Sequence, residues 1–132
     1  MDNDIKNDVT AADLPLALGA VSKSNCLNQY TWGDDCYGWN FVDTEALSIK
    51  QELMPPDTRE QLHYHEVANQ FFFILTGRAT INIDGTEHIL KPNEGIEIKA
   101  GQKHYISNNV NTDLEFIFYS SPSTNNDRQN VL

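Results

Sequence analysis

The chain has 132 residues, 39% of them hydrophobic and 10% aromatic, which suits one globular domain and excludes wholesale disorder. Its net charge of −10 repels phosphate backbones and anionic headgroups, so nucleic acid and membrane surfaces are excluded as partners. No CxxC pair accompanies the two cysteines, Cys26 and Cys36, which removes a zinc ribbon or redox motif from consideration.

Residues 1–8 read as an acidic tail with no positive n-region, and the apolar stretch "LPLALGAV" is short. Neither a signal peptide nor a transmembrane span is expected, and the expected compartment is the cytoplasm with both thiols reduced. "TAADLPLALGAV" has room for a helical turn capped by Thr10 or Asp13, kept short by Pro15 and Gly19. "YTWGDDCYGWNF" then gathers Tyr30, Trp32, Cys36, Tyr37 and Trp39 around Gly33 and Gly38. Its aromatics suit a lid, a dimer contact or a satellite hydrophobic cluster. The acids beside Cys36 raise a thiol pKa and argue against a nucleophile.

From here the chain reads as strands. "YGWNFVD" and "EALSIKQEL" have β-type content, and "QFFFILTG" is an apolar run of strand length. "RATINID" and "EHIL" flank Asp84-Gly85, a strong hairpin signal. In the first arm Ala79, Ile81 and Ile83 share one face, as one wall of a core. "GIEIKAG", "HYISNN" and "LEFIFYS" follow at short spacing. Many short strands without a helical period predict an all-β sandwich or barrel. The last stretch, residues 122–132, is polar and turn-rich, and it is expected to trail over the surface.

Chemistry concentrates in "REQLHYHEVANQFFFILTG". Strand positions i and i+2 share a face, so His63 and His65 project together. Arg59 has their parity and suits an anion clamp or a surface ion pair; His88 on the hairpin reads as an exposed residue. Phe71, Phe72 and Phe73 alternate in and out on a strand; two of the rings share one face and suit a pocket lining, with core packing the favoured role, as it is for Phe116 and Phe118.

Five residues separate Asp57 from His63, one separates His63 from His65, four precede Gln70 and six precede Gly77. After the hairpin, five separate Asn93 from Lys99, one precedes Gly101, two precede His104 and three precede Asn108. This pattern resembles the two signature motifs of the cupin superfamily, G(X)5HXH(X)3–4E(X)6G and G(X)5PXG(X)2H(X)3N, over roughly residues 45–120. The aromatic stretch before it is also similar to stretches that precede the motif in small bacterial cupins.

The resemblance implies an antiparallel jelly-roll β-barrel, a double-stranded β-helix, formed by one domain over residues 1–132 with a short N-terminal arm. It implies one divalent transition metal in the barrel mouth, held by His63, His65, Gln70 and His104. Four positions depart from the motifs. Asp57 and Asn93 stand for glycines, and Asp and Asn tolerate left-handed backbone angles. Lys99 stands for a proline. Gln70 stands for the motif's glutamate, which leaves the metal's charge uncancelled, favours an anionic ligand, and favours Zn, Ni, Fe or Cu over Mn. Asn108 is expected to serve a turn.

Function then divides. One reading is a metal-dependent enzyme acting on a small polar or anionic molecule, with the reaction type open. A second is a non-catalytic barrel that binds a small molecule or sugar. A third is a metal-free epimerase-like barrel with His63 or His65 as base and Tyr105 as acid. The resemblance to small cupins, which pair through their sheets, implies a homodimer, and exposed strand edges with the aromatic N-terminal stretch suit one.

Overall fold

The computed structural model describes residues 19–132; the helical turn expected around Thr10 or Asp13 lies outside them. All regular structure among the described residues is β. Twelve strands are present: β1 (Asn28–Trp32), β2 (Cys36–Asp43), β3 (Ser48–Met54), β4 (Thr58–Arg59), β5 (His63–Tyr64), β6 (Asn69–Thr76), β7 (Ala79–Ile83), β8 (Thr86–Leu90), β9 (Gly95–Ile98), β10 (His104–Asn108), β11 (Leu114–Ser121) and β12 (Gln129–Asn130).

They form two antiparallel sheets. One runs β1-β2-β3-β11-β6-β9; the other runs β12-β5-β10-β7-β8, with β4 also on β10. The non-sequential neighbours are the crossovers of a jelly roll, in which two sheets close on one another. The expected all-β jelly-roll barrel is therefore present.

Alternation decides what faces inward. On β6, Gln70, Phe72 and Ile74 are buried while Phe71 is exposed, and on β11 Leu114 and Phe116 are buried. Across the barrel Ala79, Ile81, Ile83, Leu90 and Ile106 complete the core. Full burial of such a side chain stabilises by about 1.5–3 kcal/mol. Phe72 stacks on Phe118 at 5.1 Å and packs against Phe116 at 5.5 Å. So one ring of the Phe71–Phe73 run points inward, and the other two stack on each other outside at 6.4 Å.

The turns bear out the unusual residues. Asp57 and Asn93 adopt φ values of 63° and 68°, the left-handed region that the motif's glycines would occupy. Asp84 and Gly85 both have positive φ, 50° and 88°, as a two-residue type I′ hairpin requires. The Lys99 backbone N–H donates to Gln102 Oε1 at 2.8 Å, a bond that proline cannot make. Asn108 is fully buried. Its Nδ2 donates to the carbonyls of Met54 at 2.9 Å and Thr112 at 2.8 Å, and its Oδ1 accepts from Val110 N–H.

Two segments differ from expectation. Asn28–Trp32 forms an extra strand, β1, at the edge of the first sheet. Residues 122–132, expected as a trailing tail, are fastened to the barrel: β12 pairs with β5 through Gln129–Tyr64 and Asn130–His63, and Asp127 reaches the loop after β5. Short polar strands of this kind carry no hydrophobic period, and only the partner strand defines them.

Candidate metal centre

The site lies between the sheets. His63 begins β5 and His104 begins β10, and the two are direct partners across the strands. His65 follows β5 by one residue. The three rings sit with centroids 4.3–5.5 Å apart, and one nitrogen from each falls within 4.8 Å of the others. All three histidines are buried.

Each ring is held by its other nitrogen. His63 Nδ1 donates to the Gln61 carbonyl at 2.7 Å, His104 Nδ1 to the Gln102 carbonyl at 2.9 Å, and His65 Nδ1 to the Asp127 carbonyl. A carbonyl only accepts, so these bonds place the proton on Nδ1 and leave the Nε2 lone pair bare. Nε2 of His65 and of His104 is buried with no hydrogen-bond partner. Burial depresses the imidazoles, to about 3 for His63 and about 4 for His104, and lowers His65 too. The rings are therefore neutral at pH 7, the form that binds metal.

Gln70 enters from the facing sheet, on β6. Its Nε2 donates to Ser120 Oγ at 3.0 Å, with Ser120 its cross-strand partner on β11. Its Oε1 is buried without a partner. Orphaned buried acceptors are costly, and here imidazole nitrogens and an amide oxygen are orphaned together. That donor set suits a divalent transition metal with positions left open.

His63, His65 and Gln70 line a cavity of about 440 Å³, and His104 packs against the two histidine rings from behind that lining. Its walls hold groups that the residue pattern left unassigned. Tyr30 and Trp32 come from β1, and Lys50 and Glu52 from β3. Glu60 and Arg128 lie on the wall nearer β5 and β12. The aromatic stretch thus divides: Tyr30 and Trp32 face the cavity, Cys36 joins the core, and Trp39 packs outside under the Lys23 ammonium, 4.2 Å from its centroid. The Cys36 thiol is pushed up mainly by burial, with smaller contributions from Glu52 and Asp34. The chain held only a faint signal for Lys50 and Glu52, two charges at the strand parity of Met54, which does not by itself say that this side meets a cavity. Arg128 had no such signal.

Arg59 is exposed, touches the cavity, and lays its guanidinium over the Tyr105 ring at 4.5 Å. Tyr105 itself is not among the cavity-lining residues; the tyrosine there is Tyr30. His88 lies on β8 opposite Ile81, apart from the cluster.

Burial pushes Glu52 up to about 8 and Glu60 up to about 7. Glu60 also accepts a hydrogen bond from Ile106 N–H at 3.1 Å. At neutrality Glu52 then keeps most of its proton and Glu60 about half, so the cations Lys50, Arg59 and Arg128 outweigh the acids in the cavity.

Residues 50–120 match the model of the cupin domain family. Among curated proteins, the oxalate-binding protein of Thermotoga maritima is 33% identical over 83 residues, 59% of this chain and 69% of that one. The polyketide synthase CurC of Streptomyces cyaneus is 27% identical over 70 residues, 53% of this chain, and the match spans only 46% of CurC. Among solved structures, a predicted oxalate decarboxylase from Thermotoga maritima aligns with a TM-score of 0.71 at 22% identity, covering 80% of this chain and all of that one. The polyketide cyclase RemF of Streptomyces resistomycificus aligns with a TM-score of 0.70 at 14% identity, covering 87% and 86%. No helix among the described residues is long and apolar enough to cross a membrane. With the family match spanning both histidine motifs, the chain belongs to the cupin family.

Proposed function

We propose that this protein is a metal-dependent enzyme acting on a small anionic molecule inside the barrel. The observation that carries the reading is the cluster of three histidine nitrogens within 4.8 Å of one another, with Nε2 of His65 and His104 unpartnered, at a cavity that His63, His65 and Gln70, its Oε1 equally unpartnered, line. His63, His65 and His104 would hold the metal, with Gln70 as the fourth, neutral donor. When bound, the metal supplies a Lewis acid that polarises a ligand oxygen. Lys50, Arg59 and Arg128 line the same cavity and draw in an anion. The oxalate-binding protein named above supports a small carboxylate as the ligand class. Zinc, nickel, iron or copper suits imidazole and amide donors better than manganese does.

Elemental analysis of protein purified without added ions tests this reading. The expected result is a stoichiometric transition metal that His104→Ala removes. A protein that holds no metal and takes up none of Zn, Ni, Fe or Mn would overturn it in favour of a non-catalytic binding barrel.

We also propose that two copies pair through the outer face of the sheet that holds β2, β6 and β11. Phe71 and its cross-strand partner Tyr119 stand 43% and 38% exposed on it, an apolar pair that suits a second copy. Sedimentation showing only a 15.0 kDa species at micromolar concentration would overturn the pairing.

A further inference from the structure

One row of the barrel wall is built around a missing side chain. Tyr30 on β1 is the register partner of Gly38 on β2, and Gly38 is the partner of Glu52 on β3. The Tyr30 ring lies across the glycine and delivers its hydroxyl to Glu52 Oε2 at 2.5 Å. A Cβ on residue 38 would sit 2.1 Å from the ring's Cζ. Only glycine lets the tyrosine span the middle strand.

Both ends of the row open on the cavity that His63 and His65 line. Glu52 is 8% exposed, and no ion pair between described residues reaches it. A buried carboxyl without a cation partner is expensive as a structural element. An apolar residue would fill the same wall more stably, and a hydrogen-bonded acid facing a ligand cavity is a sign of proton chemistry.

We propose that Tyr30 and Glu52 form the proton-transfer pair of this cavity, in which Glu52 exchanges a proton with an anion held near the histidines and Tyr30 steadies the carboxylate left behind. The inference rests on the proposed metal-dependent reading and names the acid that the reading needs. The step balances simply. The Glu52 O–H bond breaks as an O–H bond forms on the ligand oxygen, and the negative charge passes to Glu52, where the Tyr30 hydroxyl donates to it. The reverse step restores both groups.

The surroundings favour the proton-bearing state. Burial is the largest influence and raises Glu52 to about 8. The Tyr30 hydrogen bond, Lys50 and Arg128 pull the other way, and Glu60 adds to the rise. Tyr30 is held above its ordinary range, first by burial and then by Glu52, so it stays a donor. From β2 the buried Cys36 thiol also faces this region. Arg59 and the two histidines His63 and His65 complete the charged and titratable lining. Lys50 Nζ sits over the Tyr30 ring, 5.7 Å from its centroid, where it attracts an incoming anion.

The test uses the full chain loaded with Zn²⁺ and labelled with ¹³C at the glutamate side-chain carboxyls. The Glu52 signal is assigned by its loss in Glu52→Gln. We expect it to keep its proton through neutrality while exposed glutamates ionise several pH units lower. Tyr30→Phe keeps the ring volume, removes a donor to the carboxylate, and moves the midpoint further up. Malonate is then titrated at pH 8.5 by calorimetry in two buffers of different ionisation enthalpy. Wild type takes up a large fraction of one proton per bound anion; Glu52→Gln binds malonate without that uptake.

Ionisation of Glu52 together with the exposed glutamates overturns the proposal, and so does unchanged proton uptake in Glu52→Gln. Failure of the metal reading looks different. The protein then takes up no zinc, which removes the ligand step, and the Glu52 midpoint in the metal-free chain still reports whether Tyr30 and Glu52 form the proton-holding pair.

Discussion

Asp127 orients His65 across 62 positions of sequence. Its carbonyl accepts the His65 Nδ1 proton, while its carboxylate takes the backbone N–H groups of Glu66, Val67 and Ala68 at 2.7, 3.1 and 2.9 Å. Slight burial alone would raise this carboxyl, but the three amide donors together hold it below its usual range. One residue therefore fixes both the loop that carries His65 and the tautomer of its ring.

Asp127→Ala should weaken zinc binding by about 10–100-fold, the usual effect of losing a partner behind a metal-bound histidine. The carbonyl survives the substitution, but the segment that presents it is no longer clamped. Competition titration against a chromogenic chelator measures the change. Unaltered affinity would mean that β12 alone holds the segment in place.

Gln70→Glu should tighten divalent metal binding by about tenfold, because a carboxylate adds a negative charge beside the ion and keeps part of that gain after desolvation. Manganese should gain more than zinc, since it prefers anionic oxygen. His104→Ala should abolish stoichiometric binding. Equal affinities for wild type and Gln70→Glu, with His104→Ala still inactive in binding, would reduce the centre to its three histidines.

Glu52 makes stability depend on pH in a stated direction. Its folded-state value near 8 lies above the ordinary 4.5. Its contribution is therefore fully present below about pH 4.5 and is lost as pH rises through about 8. Glu52→Gln removes that loss. The variant should gain on wild type between pH 5 and pH 8.5 by an amount on the order of a few kcal/mol. Urea midpoints at the two pH values decide, and a difference that does not change with pH would place the Glu52 proton in the ordinary range.

Gly38→Ala should destabilise the fold by about 1–3 kcal/mol, since the new methyl occupies the space of the Tyr30 ring. In a Tyr30→Ala background the same substitution should cost much less, because the ring is gone; contacting residues are not additive. Thermal melts of the four proteins complete the cycle. Additive losses would show that the ring does not cross Gly38 in solution.

The residue pattern reached the fold and the histidines because both are local periodicities. Alternation along β7 declares which side of the strand meets the core, the apolar run of β6 declares a strand without declaring its side, and the spacing of His63, His65, Gln70 and His104 survives as a linear motif. Asp57 and Asn93 were legible as turns because few side chains tolerate a positive φ. The opposite wall of the cavity was not legible in this way. Glu52 reads along the chain as one more charge in "SIKQEL", and Tyr30 as one more aromatic. Their hydroxyl–carboxylate bond exists because β1 and β3 flank β2 at Gly38, a register that strand pairing sets and no local period encodes. Asp127 and Arg128 stood in a polar stretch that looked like a tail. They reach the site because β12 pairs with β5, and a two-residue strand is defined by its partner's backbone rather than by its own side chains. The sequence by itself determined which residues could bind a metal; the closing of the two sheets decided which acid, which tyrosine and which cations face them.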